Sequence, residues 1–244
     1  MASIKDSVEE SFQDNSAFLK YIIFAIPLYL TYYMYSHENT GALFIFAVIF
    51  CIFMLLGFIT ICSINVNRNN SQVLPDFNLF MLFKESLGTF FAIIPAVIIN
   101  SVLPYFITSS FTLPSKTFDI ILKIFIWFAF ISVIVTTYLL YVREKKFKNA
   151  YNLKSISEFG ADIMVSLIFM IPLILLVNVI FLGPIAYLII LFFGLPNPFF
   201  DFICCIFSVW NIAIIGNYLA QIGMETIDMK IQNDKYDNEE SSLF

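Results

Sequence analysis

The chain has 244 residues, 60% of them hydrophobic and 13% charged, with 30 Phe, 12 Tyr and 2 Trp against a single His and a formal net charge of −5. Soluble domains average roughly 45–50% apolar and 25% charged residues, so this is the composition of an integral membrane protein. The acidic balance argues against a nucleic-acid surface, and one His leaves little for the His- and carboxylate-based chemistry of most catalytic and metal centres.

The N-terminal element, residues 1–16, carries Lys5 against Asp6, Glu9, Glu10 and Asp14. That is the wrong charge for the leading region of a signal peptide, so the segment is expected to stay on the chain. Ile4, Val8 and Phe12 recur at i, i+4 and i+8, which predicts a short interfacial helix whose acidic face meets a protein rather than anionic lipid. Six apolar runs follow at 17–35, 42–64, 86–103, 118–142, 163–182 and 199–222, each in the range of about 17–25 residues that crosses a bilayer. They are continuously apolar rather than alternating, so helices are expected and a barrel is not. The last segment, 225–244, holds Asp228, Asp234, Asp237, Glu239 and Glu240 against Lys230 and Lys235. It reads as an acidic cytoplasmic tail with a disordered end.

Orientation follows from where Lys and Arg fall among the connections. Lys5, Lys20, Arg68, Lys84, Arg143, Lys145, Lys146, Lys148, Lys154, Lys230 and Lys235 share one side, and only Lys116 and Lys123 lie on the other. Both termini are therefore expected in the cytoplasm. Tyr29, Tyr32, Tyr33 and Tyr35 at one helix end, and Tyr138 and Tyr141 at another, suit aromatic belts at the two interfaces.

The runs pair as three hairpins, 17–64, 77–142 and 151–222, and the second and third are self-similar. The thirteen residues from Leu113 to Phe125 align without gaps to those from Leu195 to Phe207, with seven identities: Leu113, Pro114, Phe118, Asp119, Ile121, Ile124 and Phe125. The fold class expected is all-α, with six transmembrane helices in three hairpins, the last two forming an internal parallel repeat. Pro27, Pro95 and Pro172 fall inside the runs; each removes a donor and leaves a carbonyl in need of another partner. Pro104 and Gly183-Pro184 precede the short apolar stretches 105–111 and 185–193, which are expected as interfacial or partly re-entrant segments.

The run from Gly57-Phe58 to Ile64, then Arg68 and Val73-Leu74-Pro75-Asp76-Phe77, together with the basic loop Lys145-Lys146-Phe147 to Ala150-Tyr151, resembles a prokaryotic family of multispanning membrane proteins known only as the 4013-type domain of unknown function. The likeness covers roughly residues 15–225. The acidic tail and the scarcity of helix glycines depart from the family pattern. The resemblance implies a multispanning fold in a bacterial or archaeal membrane and carries no catalytic residue.

Ionisable or strongly polar residues inside a membrane are functional candidates by default. Asn100 and Asn178 lie within runs, a few residues beyond Pro95 and Pro172, placed to bond between helices. Asp119 and Asp201 occupy equivalent repeat positions; they read either as a pair of outward carboxylates or as first-turn acids that complement the helix dipole. Lys123 stands at i+4 from Asp119, the spacing of an ion pair. Lys84, Glu85, Glu158 and Asp162 fall at run boundaries, where solvation or headgroups suffice. Arg143, Lys145, Lys146 and Lys148, with Lys154, form one basic cluster that either contacts anionic lipid headgroups or serves only as the topogenic signal. His37 stands alone beside Glu38. Cys51, Cys62, Cys204 and Cys205 lie in apolar runs without metal-ligand spacing and read as small hydrophobes.

Catalytic signatures are missing from the sequence, so no enzyme, cofactor or metal is expected. Membrane lipids are the expected partners, with a protein contact possible through the termini or the basic loop. Two readings stand. The first is a membrane-embedded interaction or scaffold module; the second is a transporter or lipid-handling protein for an apolar or amphipathic solute, with the Pro-containing helices lining its path.

Overall fold

Continuous apolar sequence becomes continuous helix because a backbone in hydrocarbon must satisfy its polar groups within its own segment. The computed structural model describes residues 2–70, 72–111, 115–195 and 197–228, and among these no strand occurs. In chain order the helices are α1 (Ile4–Glu10), α2 (Ala17–Ser36), α3 (Ala42–Asn67), α4 (Leu79–Ser109), α5 (Lys116–Glu144), α6 (Phe147–Ala150), α7 (Leu153–Phe193) and α8 (Pro198–Gly223), the last continuing as a π-helical turn, Met224–Asp228. Six of them, α2 to α5, α7 and α8, are long and apolar enough to cross a membrane, and each contains one of the runs read from the sequence. The protein is an all-α polytopic membrane protein. Thr112-Leu113-Pro114, Pro196 and the tail beyond Asp228, on which most of the repeat anchors and of the acidic tail fall, lie outside the described residues.

The short apolar stretches continue the helix, to Ser109 in α4 and to Phe193 in α7. α4 runs through Pro104 and α7 through Pro184, and at about 1.5 Å per residue the 41-residue α7 is about 60 Å long. A proline removes one donor, but leaving the helix in hydrocarbon would expose several backbone groups at once, so continuation costs less. The hydroxyls of Thr31 and Thr108 each donate to the carbonyl of the proline four residues earlier, Pro27 and Pro104, at 2.8 and 2.7 Å. α7 ends at Gly194, whose φ of 72° is the left-handed turn that glycine adopts most readily.

The described chain divides into two units. The flanking unit comprises Ser3–Leu87 and Met170–Ala220, and the middle unit comprises Gly88–Phe169 with the stretch from Gln221 onward. In the flanking unit the Phe24 ring packs at a tilt against Phe58 at 4.5 Å and edge-on against Phe77 at 5.7 Å. Gly57 lets α3 lie against the backbone of α4, because a Cβ there would run into the Leu82 carbonyl. The Ser63 hydroxyl donates to the Gly216 carbonyl across α3 and α8 at 2.8 Å. Such close approaches at small residues are how helices gain contact where no hydrophobic drive separates protein from lipid.

The N-terminal segment also differs from its expectation. α1 is capped by Ser3, whose hydroxyl accepts from the Asp6 amide at 3.2 Å. The buried positions over α1 and its C-cap are Ile4, Ser7 and Ser11 rather than Ile4, Val8 and Phe12. Tyr21 donates to the Ser11 carbonyl at 2.6 Å, Trp210 Nε1 to the Ser11 hydroxyl at 2.9 Å, and Asn217 to Glu10 at 2.7 Å. The segment docks on α2 and α8 through these polar contacts and through Phe12, whose ring lies 6.1 Å from Tyr21 and 5.4 Å from Trp210, and its acidic residue Glu10 is used inside the protein.

Candidate functional site

In the middle unit, α4, α5 and α7 leave a cleft of about 620 Å³. The opening arises from small side chains on all three walls: Ala96 on α4, Ala129 and Ser132 on α5, and Gly160 and Ala161 on α7. Ile99 and Leu153, which also line it, stay 54% and 79% exposed, so the cleft opens sideways at the protein surface. Its volume falls in the range of sites that hold a small organic ligand, about 300–1,000 Å³.

The polar residues of the cleft are committed to their own helices. Asn100 donates to the Ala96 carbonyl at 2.6 Å, Ser132 to Ala129 at 2.7 Å, Thr137 to Val133 at 2.9 Å and Ser157 to Lys154 at 2.8 Å. Tyr151 makes a tie across the cleft. Its hydroxyl donates at 2.7 Å to the Phe91 carbonyl, the acceptor that Pro95, four residues on, cannot serve. The carbonyl expected to need a partner thus has one, and the lining that remains is largely apolar.

The basic cluster lies at one end of this cleft in sequence. α5 ends at Lys145, in the left-handed conformation at φ 54°; the single turn of α6 carries Lys148; Tyr151 and Leu153 then begin the cleft wall. Lys146 pairs with Glu144 at 3.2 Å and Lys154 with Glu158 at 3.7 Å, all at exposed positions. Arg143 and Lys145 engage other groups of the protein, and Lys148 is exposed.

The other expected residues fall as follows. Asp119 and Asp201 both sit in the first turn of their helices, α5 and α8. Asp119 pairs with Lys123 at 2.7 Å, the i,i+4 contact read from the spacing, and the Lys123 ammonium stands 5.9 Å from the Phe111 ring centre. In the flanking unit Asn178 pairs with Asn211 through reciprocal amide bonds of 2.9 and 2.8 Å, joining α7 to α8. Asn100 is buried but bonds within α4, so the expected inter-helix role falls to one of the two asparagines. His37 stacks on Tyr33 at 4.0 Å and contacts its carbonyl at 2.9 Å. The four cysteines are free thiols, and among the described residues no group of His, Cys, Asp and Glu could hold a metal ion.

Glu85, expected to be satisfied by solvation or headgroups, and Lys20, counted among the basic residues of one side, are both buried. Glu85 is engaged with the protein. Lys20 is buried with Asp14, at side-chain exposures of 9% and 3%, and bonds it at 2.6 Å; it also reaches the exposed Asp76 at 2.9 Å and the Leu74 carbonyl at 3.4 Å. Burial alone would raise the Asp14 carboxyl, but the Lys20 ammonium and two hydrogen bonds from Ser16, at 2.9 and 2.8 Å, hold it below its ordinary 3.8. This cluster ties the N-terminal segment, α2 and the α3–α4 connection of the flanking unit together. The signal that could have found it is a lone lysine just inside an apolar run, close after an aspartate.

No protein-family model, curated protein or solved structure matches the chain.

Proposed function

We propose that this polytopic protein handles membrane lipid, the cleft between α4, α5 and α7 holding a hydrocarbon chain that enters sideways from the bilayer. The observation that carries this is the cleft itself: open at the surface, floored by small side chains, and lined by polar groups already bonded within their own helices. A hydrophilic solute would find few partners there, and an apolar chain would lose none. The role is non-catalytic and needs no cofactor. The scaffold reading draws its support from the flanking unit, whose polar side chains join its helices; the cleft favours the lipid-handling one.

The proposed topology puts both termini in the cytoplasm, on the weight of the eleven basic residues named above. In a cysteine-free background, an impermeant maleimide applied from outside should label a cysteine at Ser115 and not one at Ser155; the reverse result overturns it. The lipid reading is tested by purifying the protein in mild detergent and quantifying co-purified lipid by mass spectrometry. The Ala129→Phe and Ala161→Phe variants should lose most of the retained lipid while keeping helicity. Unchanged retention overturns the reading. So does an Ala161→Phe variant that splits a dimer without releasing lipid, since the cleft would then be seating a second copy.

A further inference from the structure

The cleft has a length and a charged end, and these specify its occupant more closely than hydrocarbon alone. Along α7 it runs from Leu153 to Met164. Eleven residues at 1.5 Å rise make about 16 Å, an extended, largely apolar path that suits a single hydrocarbon chain.

The interfacial end is basic. Residues 143–158 hold Arg143, Lys145, Lys146, Lys148 and Lys154 against Glu144 and Glu158, an excess of three positive charges, five less two. Lys148 lies three residues before the cleft-lining Tyr151, and Lys154 directly follows the cleft-lining Leu153. Both are exposed. Among the described residues the Lys154 ammonium pairs with Glu158 at 3.7 Å, at side-chain exposures of 84% and 46%, a pair too solvated to hold the ammonium from another anion.

We infer that the cleft selects an anionic glycerophospholipid, with one acyl chain between α4, α5 and α7 and the phosphate-bearing headgroup at Lys148 and Lys154. The inference rests on the lipid-handling reading above and adds the headgroup. A zwitterionic lipid of the same chains fills the cleft equally but gains nothing net from the basic end. Each lysine near an anionic headgroup contributes about fivefold in affinity, lowered by salt.

The test uses the full-length protein in phosphatidylcholine vesicles, with spin-labelled phosphatidylglycerol and phosphatidylcholine of identical chains as probes. Electron spin resonance reads the motionally restricted fraction of each. The expected result is a phosphatidylglycerol preference of about tenfold or more in the native protein. It should fall to near unity in Lys148→Gln/Lys154→Gln and shrink in high salt, while phosphatidylcholine restriction is unchanged. Equal restriction of the two probes by the native protein overturns the headgroup assignment and leaves the cleft reading standing. So does a preference that survives the double replacement. Restriction of both probes that is unaffected by Ala129→Phe overturns the cleft reading, and the headgroup assignment with it. Both lysines are exposed, so their replacement by glutamine leaves the fold intact and each result readable.

Discussion

The two units use polar side chains in opposite ways. In the flanking unit they reach across: Asn178 to Asn211, Ser63 to Gly216, Trp210 to Ser11, Asn217 to Glu10, and Lys20 to Asp14 and Asp76. In the cleft of the middle unit Tyr151 reaches across to the Phe91 carbonyl, but Asn100, Ser132, Thr137 and Ser157 instead donate to carbonyls of their own helices. A polar group in hydrocarbon has to be satisfied either way. Satisfied across helices it fixes their packing; satisfied within one helix it leaves the facing surface apolar and the neighbour free to stand off. The difference separates a region built to hold its shape from one able to admit a chain.

The largest expected effect breaks the tied region at its ion cluster. Lys20→Ala leaves the buried Asp14 carboxylate unpaired and should cost about 3–5 kcal/mol, read as loss of helicity against denaturant in mixed micelles. Asp76→Ala removes only the exposed arm, 83% accessible, and should cost less than about 1 kcal/mol. Equal costs would show that the exposed arm, not the buried pair, holds the cluster. The same cluster sets an acid limit. The Asp14 carboxyl is held below 3.8 in the folded protein, so its contribution is present above that pH and is lost as pH falls through the folded value. Native stability should therefore decline below about pH 4, and Asp14→Asn, already weaker, should show a smaller decline.

A smaller effect is expected at the amide pair. Asn211→Leu strands Asn178 with only its Ile174 carbonyl, and inter-helix hydrogen bonds in membranes contribute on average about 0.6 and at most about 1.7 kcal/mol. The loss should be about 1 kcal/mol, with Asn178→Leu/Asn211→Leu costing no more than either single change. Additive costs would mean that the two amides do not act as a pair.

How much of this was legible follows from what each feature depends on. The six spans are written as uninterrupted apolar runs, because lipid makes every turn answer for itself. The Asp119–Lys123 pair was legible because i,i+4 is fixed by the helix alone. Asn178 stood out as an amide in an apolar run, but its partner Asn211 lies 33 residues away and depends on how α7 meets α8. Pro104 and Pro184 were misread as helix ends because proline breaks helices in water, where freed carbonyls find solvent; in lipid they do not. Lys20 reads only as one of the basic residues of the cytoplasmic side, and its burial depends on the docking of residues 3–16, which encloses it. The cleft was invisible: Ala96, Ala129, Gly160 and Ala161 are unremarkable in their own helices and become an opening only where three helices bring them together.

The smallest effect on stability is expected where the effect on function is largest. Adding a side chain where helices touch forces backbone apart: Gly57→Leu meets the Leu82 carbonyl and should cost about 1–3 kcal/mol or more. Ala129→Phe and Ala161→Phe add more atoms than that, yet into open space. Gly160 shows the room available, since a Cβ built there finds nothing nearer than the Thr136 hydroxyl at 3.9 Å. Filling the cleft should change unfolding free energy by less than about 0.5 kcal/mol, while lipid retention falls. If the phenylalanines cost as much as Gly57→Leu, the space is needed by the packing and the middle unit is as tightly built as the flanking one. If they cost nothing and lipid is lost, the space is maintained against the general tendency of helices to close it. That is the behaviour of a binding site rather than of a packing fault, because a fault filled with apolar atoms gains stability and loses nothing else.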